Sequence, residues 1–363
     1  METKISQPQS SLNLKNSQYK GLLQNALIFA IALGIALAIF LVLILVMGKN
    51  VPIAFRTLLL TTFGSEYAFV QTCLKAVTLV FTTYAFTIPF RVQLYNIGGN
   101  GQMIIGAVAA SLVGLNFTGT DAPRFLVVLL MLIAAFIAGG AYASIAAILK
   151  VKYDINTVIS TMMLNFIAMQ VVNYVASAEP WADPYAGHPT TVNFPDSAIL
   201  PIFGGVFPNV LFAAGMVIFV ILLMRHSIKG YEIMAMGYNQ NTAETYGVNY
   251  VRTAIFTFLI AGGAAGLGGS LELMTIRHHL IDGFHLTSGA EFGTFGMLTC
   301  LICAGNEKFV PLTAFFVSIM LVGADALQRT LMIPSEIVFL VISMLVIVIV
   351  ATRSFAKKKG FLR

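Results

Sequence analysis

The chain has 363 residues, of which 58% are hydrophobic and only 10% charged, with a formal net charge of +6. That composition lies far outside the range of soluble globular domains. The basic residues are spread over short loops rather than gathered in a patch, which argues against a nucleic-acid-binding surface. Apolar runs of about 20 residues, without the alternation of a transmembrane β-barrel, point to an all-α polytopic membrane protein.

Residues 1–25 are polar and carry Lys4, Lys15 and Lys20, which suits a cytoplasmic tail. The run from Ala26 to Met47 is too long for a signal-peptide core and has no cleavage signature, so it reads as a permanent first span over 26–47. Span 2 covers 68–90. Span 3, over 97–116, opens within Tyr95–Ala107, YNIGGNGQMIIGA, where glycines and the amides of Asn96, Asn100 and Gln102 run straight into an apolar helix. Among membrane spans such a stretch is costly unless it lines a cavity or packs against protein. It is expected to distort span 3 at Gly98–Gly101 and to expose Asn96, Asn100 and Gln102 toward a solute pathway. Spans 4 and 5 cover 125–149 and 155–177.

An external loop, 177–206, follows; with Pro208 the segment carries six of the 12 prolines, and it holds the single tryptophan, Trp181. It fits an ordered lid or docking rim as well as it fits a solvated linker. Span 6 is 207–224. Residues 225–251 are too polar to cross a membrane, and Gln240–Tyr246, with Asn239 as cap and Gly247 as stop, reads as a short helix on the cytoplasmic face. Spans 7 to 10 cover 252–274, 289–305, 309–327 and 336–352, before a basic cytoplasmic tail at 353–363. The transmembrane domain thus covers 26–352, with about ten helices.

Charge supports that count. With the N-terminus inside, 15 of the 21 basic residues fall on the cytoplasmic side and 5 outside, while Lys75 lies in a span. Spans 2–5 and 7–10 then form two sets of opposite orientation, with spans 3 and 8 as counterparts. Span 8 opens SGAEFGTFGML, again broken by glycines and bearing polar groups. Paired Gly-interrupted segments in inverted halves point to a transport site.

Chemistry-bearing motifs are scarce. There is no Walker A sequence, nucleophilic triad or zinc pattern. Cys300 and Cys303 lack a second pair, and the adjacent His278 and His279, with His285 nearby, suit a wet external loop, so no metal or cofactor is expected. Ionisable residues near span interiors are limited to Lys75, Asp154, Glu272, Glu291 and Asp325, and Lys75 and Asp325 are placed to pair. This sparseness argues against ion-coupled transport. The neutral groups Asn96, Asn100, Gln102, Asn156, Ser160 and Asn165, with Glu291, are the candidate pathway residues, suited to an uncharged hydrogen-bonding solute. Hydrogen bonding between helices is the competing role for each amide.

Asn96-Ile97-Gly98, Gly101-Gln102-Met103 and Gly106-Ala107 together resemble the N-I-G-x-x-G-Q-M-x-x-G-A signature of ABC-transporter permeases of the branched-chain amino acid and simple-sugar family, in particular its nucleoside-uptake branch. Asn156–Phe166, NTVISTMMLNF, is similar to that branch's N-E-V-x-x-x-x-M-L-N-Y segment, and Gly237–Ala265 resembles the family's coupling loop and following helix. The branch often has acidic residues where this chain has Asn100 and Thr157, which makes the pathway here less negative.

The resemblance implies a type II importer-like fold with about ten spans in a bacterial cytoplasmic membrane, and both termini inside. It implies separate ATPase subunits that bind the ATP, a coupling helix contacting them through Asn239, Thr242, Glu244, Tyr246 and Gly247, and a second permease subunit in a heterodimer. It also implies an extracytoplasmic binding protein or lipoprotein that delivers the solute. The function so implied is the permease subunit of an importer for nucleosides or related ribosides, itself not an enzyme. A simple sugar or branched-chain amino acid as solute, and an ATPase-independent carrier or channel, are the alternatives.

Overall fold

A computed structural model describes residues 31, 34, 35, 37–200, 208–284 and 291–358, with side chains to 353. The N-terminal tail, the start of span 1, residues 201–207, residues 285–290 with His285, and residues 359–363 lie outside the described residues.

The described secondary structure is helical apart from two isolated bridges. In chain order the helices are α1 (Leu37–Val46), α2 (Val51–Phe63), α3 (Glu66–Phe90), α4 (Gly99–Asn116), α5 (Arg124–Tyr153), α6 (Thr157–Ser177), α7 (Pro208–His226), α8 (Ile228–Tyr238), α9 (Gln240–Thr245), α10 (Tyr250–Glu272), α11 (Phe292–Ile302), α12 (Val310–Leu331) and α13 (Ser335–Lys358). A π-helical turn, Leu273–Arg277, continues α10.

Their starts follow from local chemistry. Ser65, Asn156 and Asn249 each accept a backbone N–H from the first turn of α3, α6 and α10, at 3.1, 2.9 and 3.0 Å. At the end of α5, Asp154 takes the left-handed conformation and pairs with Lys150.

Among the described residues, seven helices are long and apolar enough to cross a membrane: α3, α5, α6, α7, α10, α12 and α13. The chain is thus an all-α polytopic membrane protein. The shorter α1 and α11 fall at expected spans 1 and 8. Expected span 3 is α4, whose Gly-Asn-Gly-Gln opening dilutes its apolar run. Two helices were not foreseen. Pro52 in the first turn and the apolar run after it give α2. Ser227, whose hydroxyl accepts the Gly230 N–H at 2.9 Å, starts α8, which buries Ile233 and Met236 one turn apart.

Contacts divide the chain into two compact units, residues 57–326 and residues 1–56 with 327–363. In the smaller unit, Phe40 packs edge-on against Phe55. In the larger one, α3 and α10 form the interior: 83% and 78% of their apolar windows are buried, against 28–33% for α5, α6 and α7. The outer helices therefore leave most of their apolar surface for lipid or other protein. Helix α10 packs on α5, α3 and α4. Small residues permit this: a Cβ on Gly106 would lie 2.2 Å from Gly266 Cα, and one on Gly266 would lie 2.3 Å from Ala135 O.

Two acidic side chains inside the bundle have polar partners on α3. Lys75 of α3 meets Asp325 of α12 at 2.7 Å, and the Thr78 hydroxyl donates to buried Glu272 at 3.0 Å. Residues 178–200 after α6 are bonded back to the segment that follows α10. Thr191, Phe194 and Leu200 donate backbone N–H groups to the carbonyls of Leu280, His278 and Met274, and Asp282 donates to that of Pro189.

Candidate functional site

The glycine-rich stretch ahead of α4 determines the site. After α3 ends, residues 94–98 run without regular structure and α4 begins only at Gly99. The expected distortion at Gly98–Gly101 is therefore a helix start preceded by open backbone, not a kink within a span. Gly98 supplies no side-chain cap. Side chains from α6 take over that role: Asn165 Oδ1 accepts the Gly101 N–H at 2.7 Å and its Nδ2 donates to Ile97 O at 3.1 Å. The Thr161 hydroxyl accepts the Ile97 N–H at 3.2 Å. About one turn apart on α6, these two side chains satisfy backbone that bilayer could not.

Helix α11 has only 11 residues, roughly 16 Å of rise, so it does not cross a hydrocarbon core of about 30 Å. Its start is completed by α4. Asn100 Oδ1 accepts the Gly293 N–H at 2.6 Å, and Asn100 Nδ2 donates to Thr294 Oγ1 at 3.3 Å. The Thr294 hydroxyl donates in turn to Glu291 Oε2 at 2.9 Å. The backbones touch: a Cβ on Gly293 would lie 2.2 Å from Asn100 N. The two Gly-interrupted segments thus meet start to start.

Beside that junction is a cavity of about 240 Å³ lined by residues of all three elements. Asn100, Asn165, Thr294 and Glu291 form its polar lining; Ile97, Ile104, Met162, Phe166 and Met169 form the rest. Glu291 is the single charged side chain among these.

Of the candidate pathway residues, the structure brings Asn100, Asn165 and Glu291 together here. Asn96 and Gln102 are elsewhere, 2% and 1% exposed, with their amides paired to each other at 2.9 and 2.7 Å. The expected exposure of these two toward a pathway is not met, because each amide is the other's partner in the buried turn. Asn156 is an exposed cap of α6, and the Ser160 hydroxyl is buried and donates to Thr157 O at 3.2 Å. Sequence reasoning missed Thr294 and the apolar lining from α6. The position of Thr294, three residues after Glu291 in a broken span, was the available signal.

The five residues expected to contact an ATPase lie on and around α9. Asn239 Oδ1 accepts the Thr242 N–H at 3.0 Å, and Gln240 Nε2 donates to Glu244 at 3.0 Å. Tyr246 is exposed. Gly247, at φ +89°, ends the helix as Val248 N–H bonds to Ala243 O and Gly247 N–H to Glu244 O. Helix α8 connects this end to the turn after α3. Gly237 abuts Arg91, where a Cβ would fall 1.8 Å from the Arg91 carbonyl, and Gln93 Nε2 donates to Gly237 O at 2.7 Å. From Gln93 the chain runs seven residues to Asn100.

An ion cluster not signalled by sequence joins the same end of the bundle. Glu307, in the α11–α12 turn and 5% exposed, pairs with Arg91 at the end of α3 and, at 3.2 Å, with Arg225 of α7. Burial pushes its carboxyl up. Hydrogen bonding to its own backbone amide and the two guanidiniums outweigh that and hold it below the usual carboxylate range. In the loop after α10, burial lowers the pKa of both His278 and His279.

A family model described as the permease component of branched-chain amino acid transport systems matches residues 68–351. A guanosine ABC transporter permease of Bacillus subtilis is 28% identical over 93% of this chain and 98% of its own length. A glucose ABC transporter permease of Haloferax volcanii is 26% identical over 84% and 81%. A nucleoside ABC transporter permease of Lactococcus lactis is 25% identical over 86% and 85%. No solved structure matches the chain.

Proposed function

The chain belongs to the family of branched-chain amino acid transport system permease components, and we propose that it forms the translocation path of an ATP-binding cassette importer for a nucleoside or related riboside. The observation that carries the reading is the cavity where the starts of α4 and α11 meet α6. Its lining joins amides, a hydroxyl and one carboxylate to a larger apolar share that includes Phe166. A nucleoside has the same division, an apolar planar base and a polar ribose. The guanosine and nucleoside permeases among its relatives support the same solute class.

An amino acid fits less well. Its carboxylate would need a cation or a free helix start, and the starts of α4 and α11 are already engaged by Asn165 and Asn100. A sugar is the second reading, supported by the glucose permease relative.

Energy comes from separate ATPase subunits seated on α9, through Asn239, Thr242, Glu244, Tyr246 and Gly247. A second permease subunit and an extracytoplasmic binding protein complete the importer in a bacterial cytoplasmic membrane. The excess of basic residues in alternate loops supports a cytoplasmic side for both termini and α9. Uridine, inosine, ribose and leucine competing for ATP-dependent uptake test the solute. Competition by both nucleosides and not by ribose or leucine is expected; competition by ribose alone replaces this reading with the sugar one.

A further inference from the structure

The hydrogen-bonding capacity left in the cavity is uneven. Asn100 has one amide hydrogen committed to Thr294 and its oxygen to Gly293. Asn165 is tied to the backbone at both ends, through Gly101 and Ile97. The Thr294 hydroxyl accepts from Asn100 and donates to Glu291. Among the described residues, Glu291 alone keeps most of its capacity, since Thr294 occupies one of its roughly four acceptor positions. It is also the one charged side chain among the described lining residues, with no cation among them.

A carboxylate accepts most strongly from two donors presented side by side. Vicinal hydroxyls are such a pair. The same charge opposes a phosphate, which would enter without a cationic partner. The bond from Thr294 holds the carboxylate at the cavity, and the Asn100 bridge holds Thr294, so the acceptor's position is set by the α4–α11 junction.

We propose that Glu291 is the specificity-determining residue of this cavity: its carboxylate accepts from the 2′- and 3′-hydroxyls of a ribonucleoside and rejects deoxynucleosides and nucleoside phosphates. Thr294 is its positioning residue. The inference rests on the nucleoside reading above and adds which part of the solute is read and by which group.

The test is ATP-dependent uptake by vesicles containing the complete importer, with uridine, 2′-deoxyuridine, 2′,3′-dideoxyuridine and uridine monophosphate. The unaltered complex is expected to prefer uridine over 2′-deoxyuridine by about ten-fold or more, the scale of a lost charge-assisted hydrogen bond. Glu291→Gln is expected to bring that ratio to within about two-fold and to reduce exclusion of the monophosphate. Thr294→Val is expected to lower the ratio partway and Thr294→Ser to restore it, which a purely structural loss would not do. Because each readout is a ratio within one variant, differences in folded amount cancel. An unchanged ribose-to-deoxyribose ratio in Glu291→Gln overturns this inference alone. Absence of nucleoside uptake by the unaltered complex overturns the nucleoside reading and this inference with it.

Discussion

Asn100 and Gly293, 193 residues apart, are joined by a 2.6 Å hydrogen bond in which an α4 side chain accepts the N–H of the second residue of α11. That bond makes one structure of two helix starts, and the cavity lies against it. Removing the acceptor strands an N–H that lipid cannot satisfy.

Asn100→Ala is accordingly expected to destabilise the purified protein by about 1–3 kcal/mol and to depress uptake. Asn100→Asp keeps the acceptor, loses the donor to Thr294, and is expected to recover most of the stability. Thermal melts in detergent measure both. Equal melting of Asn100→Ala and the unaltered protein would show that the bridge contributes nothing.

Gly237 sits where no side chain fits, against the Arg91 carbonyl. Gly237→Ala must push α8 away from residues 91–93, a strain of about 1–3 kcal/mol. Because α8 adjoins α9 and residues 91–93 lead to Asn100, the expected result is fewer solutes carried per ATP hydrolysed. Paired uptake and hydrolysis assays read that ratio, and an unchanged ratio removes α8 from the path of transmission.

Gly247 holds a left-handed backbone at the end of α9. Gly247→Ala is expected to strain that stop by about 1 kcal/mol or more and to weaken association with the ATPase subunits several-fold. Co-purification at graded ATPase concentrations tests it; undiminished association would move the docking surface elsewhere.

Glu307 links Arg91 and Arg225, and its carboxyl titrates below the usual range. A depressed folded value means a stabilising contribution that is complete above the ordinary carboxylate range and lost as pH falls through the folded value. Glu307→Gln is expected to destabilise by about 1–3 kcal/mol at neutral pH, leaving two guanidiniums without their carboxylate. The gap between variant and unaltered protein should close as the pH of a melt series falls below the ordinary carboxylate range. A gap that stays constant with pH would contradict the ion cluster's role.

Much of this was legible in sequence because hydrophobic periodicity and caps are local. Helix α9 appears with the foreseen Asn239 cap and Gly247 stop, and the separated Lys75 and Asp325 meet. The glycine-rich stretch was visible as irregular, but its partners were not. Whether an amide lines a cavity or satisfies a neighbour depends on what packs beside it: Asn96 and Gln102 bond to each other, while Asn100, two residues short of Gln102, reaches across to α11. Helix α2 was hidden because a 13-residue apolar segment is too short to read as a span. The Glu307 cluster was hidden because its three members come from three separate parts of the chain.

The central claim is that this chain carries solute only when partner subunits hydrolyse ATP. Uptake of radiolabelled uridine into vesicles containing this chain and the proposed second permease, with and without the ATPase subunits and with the binding protein present, tests it most directly. The account predicts uptake that requires both ATPase and ATP; equal uptake by vesicles lacking the ATPase would contradict it.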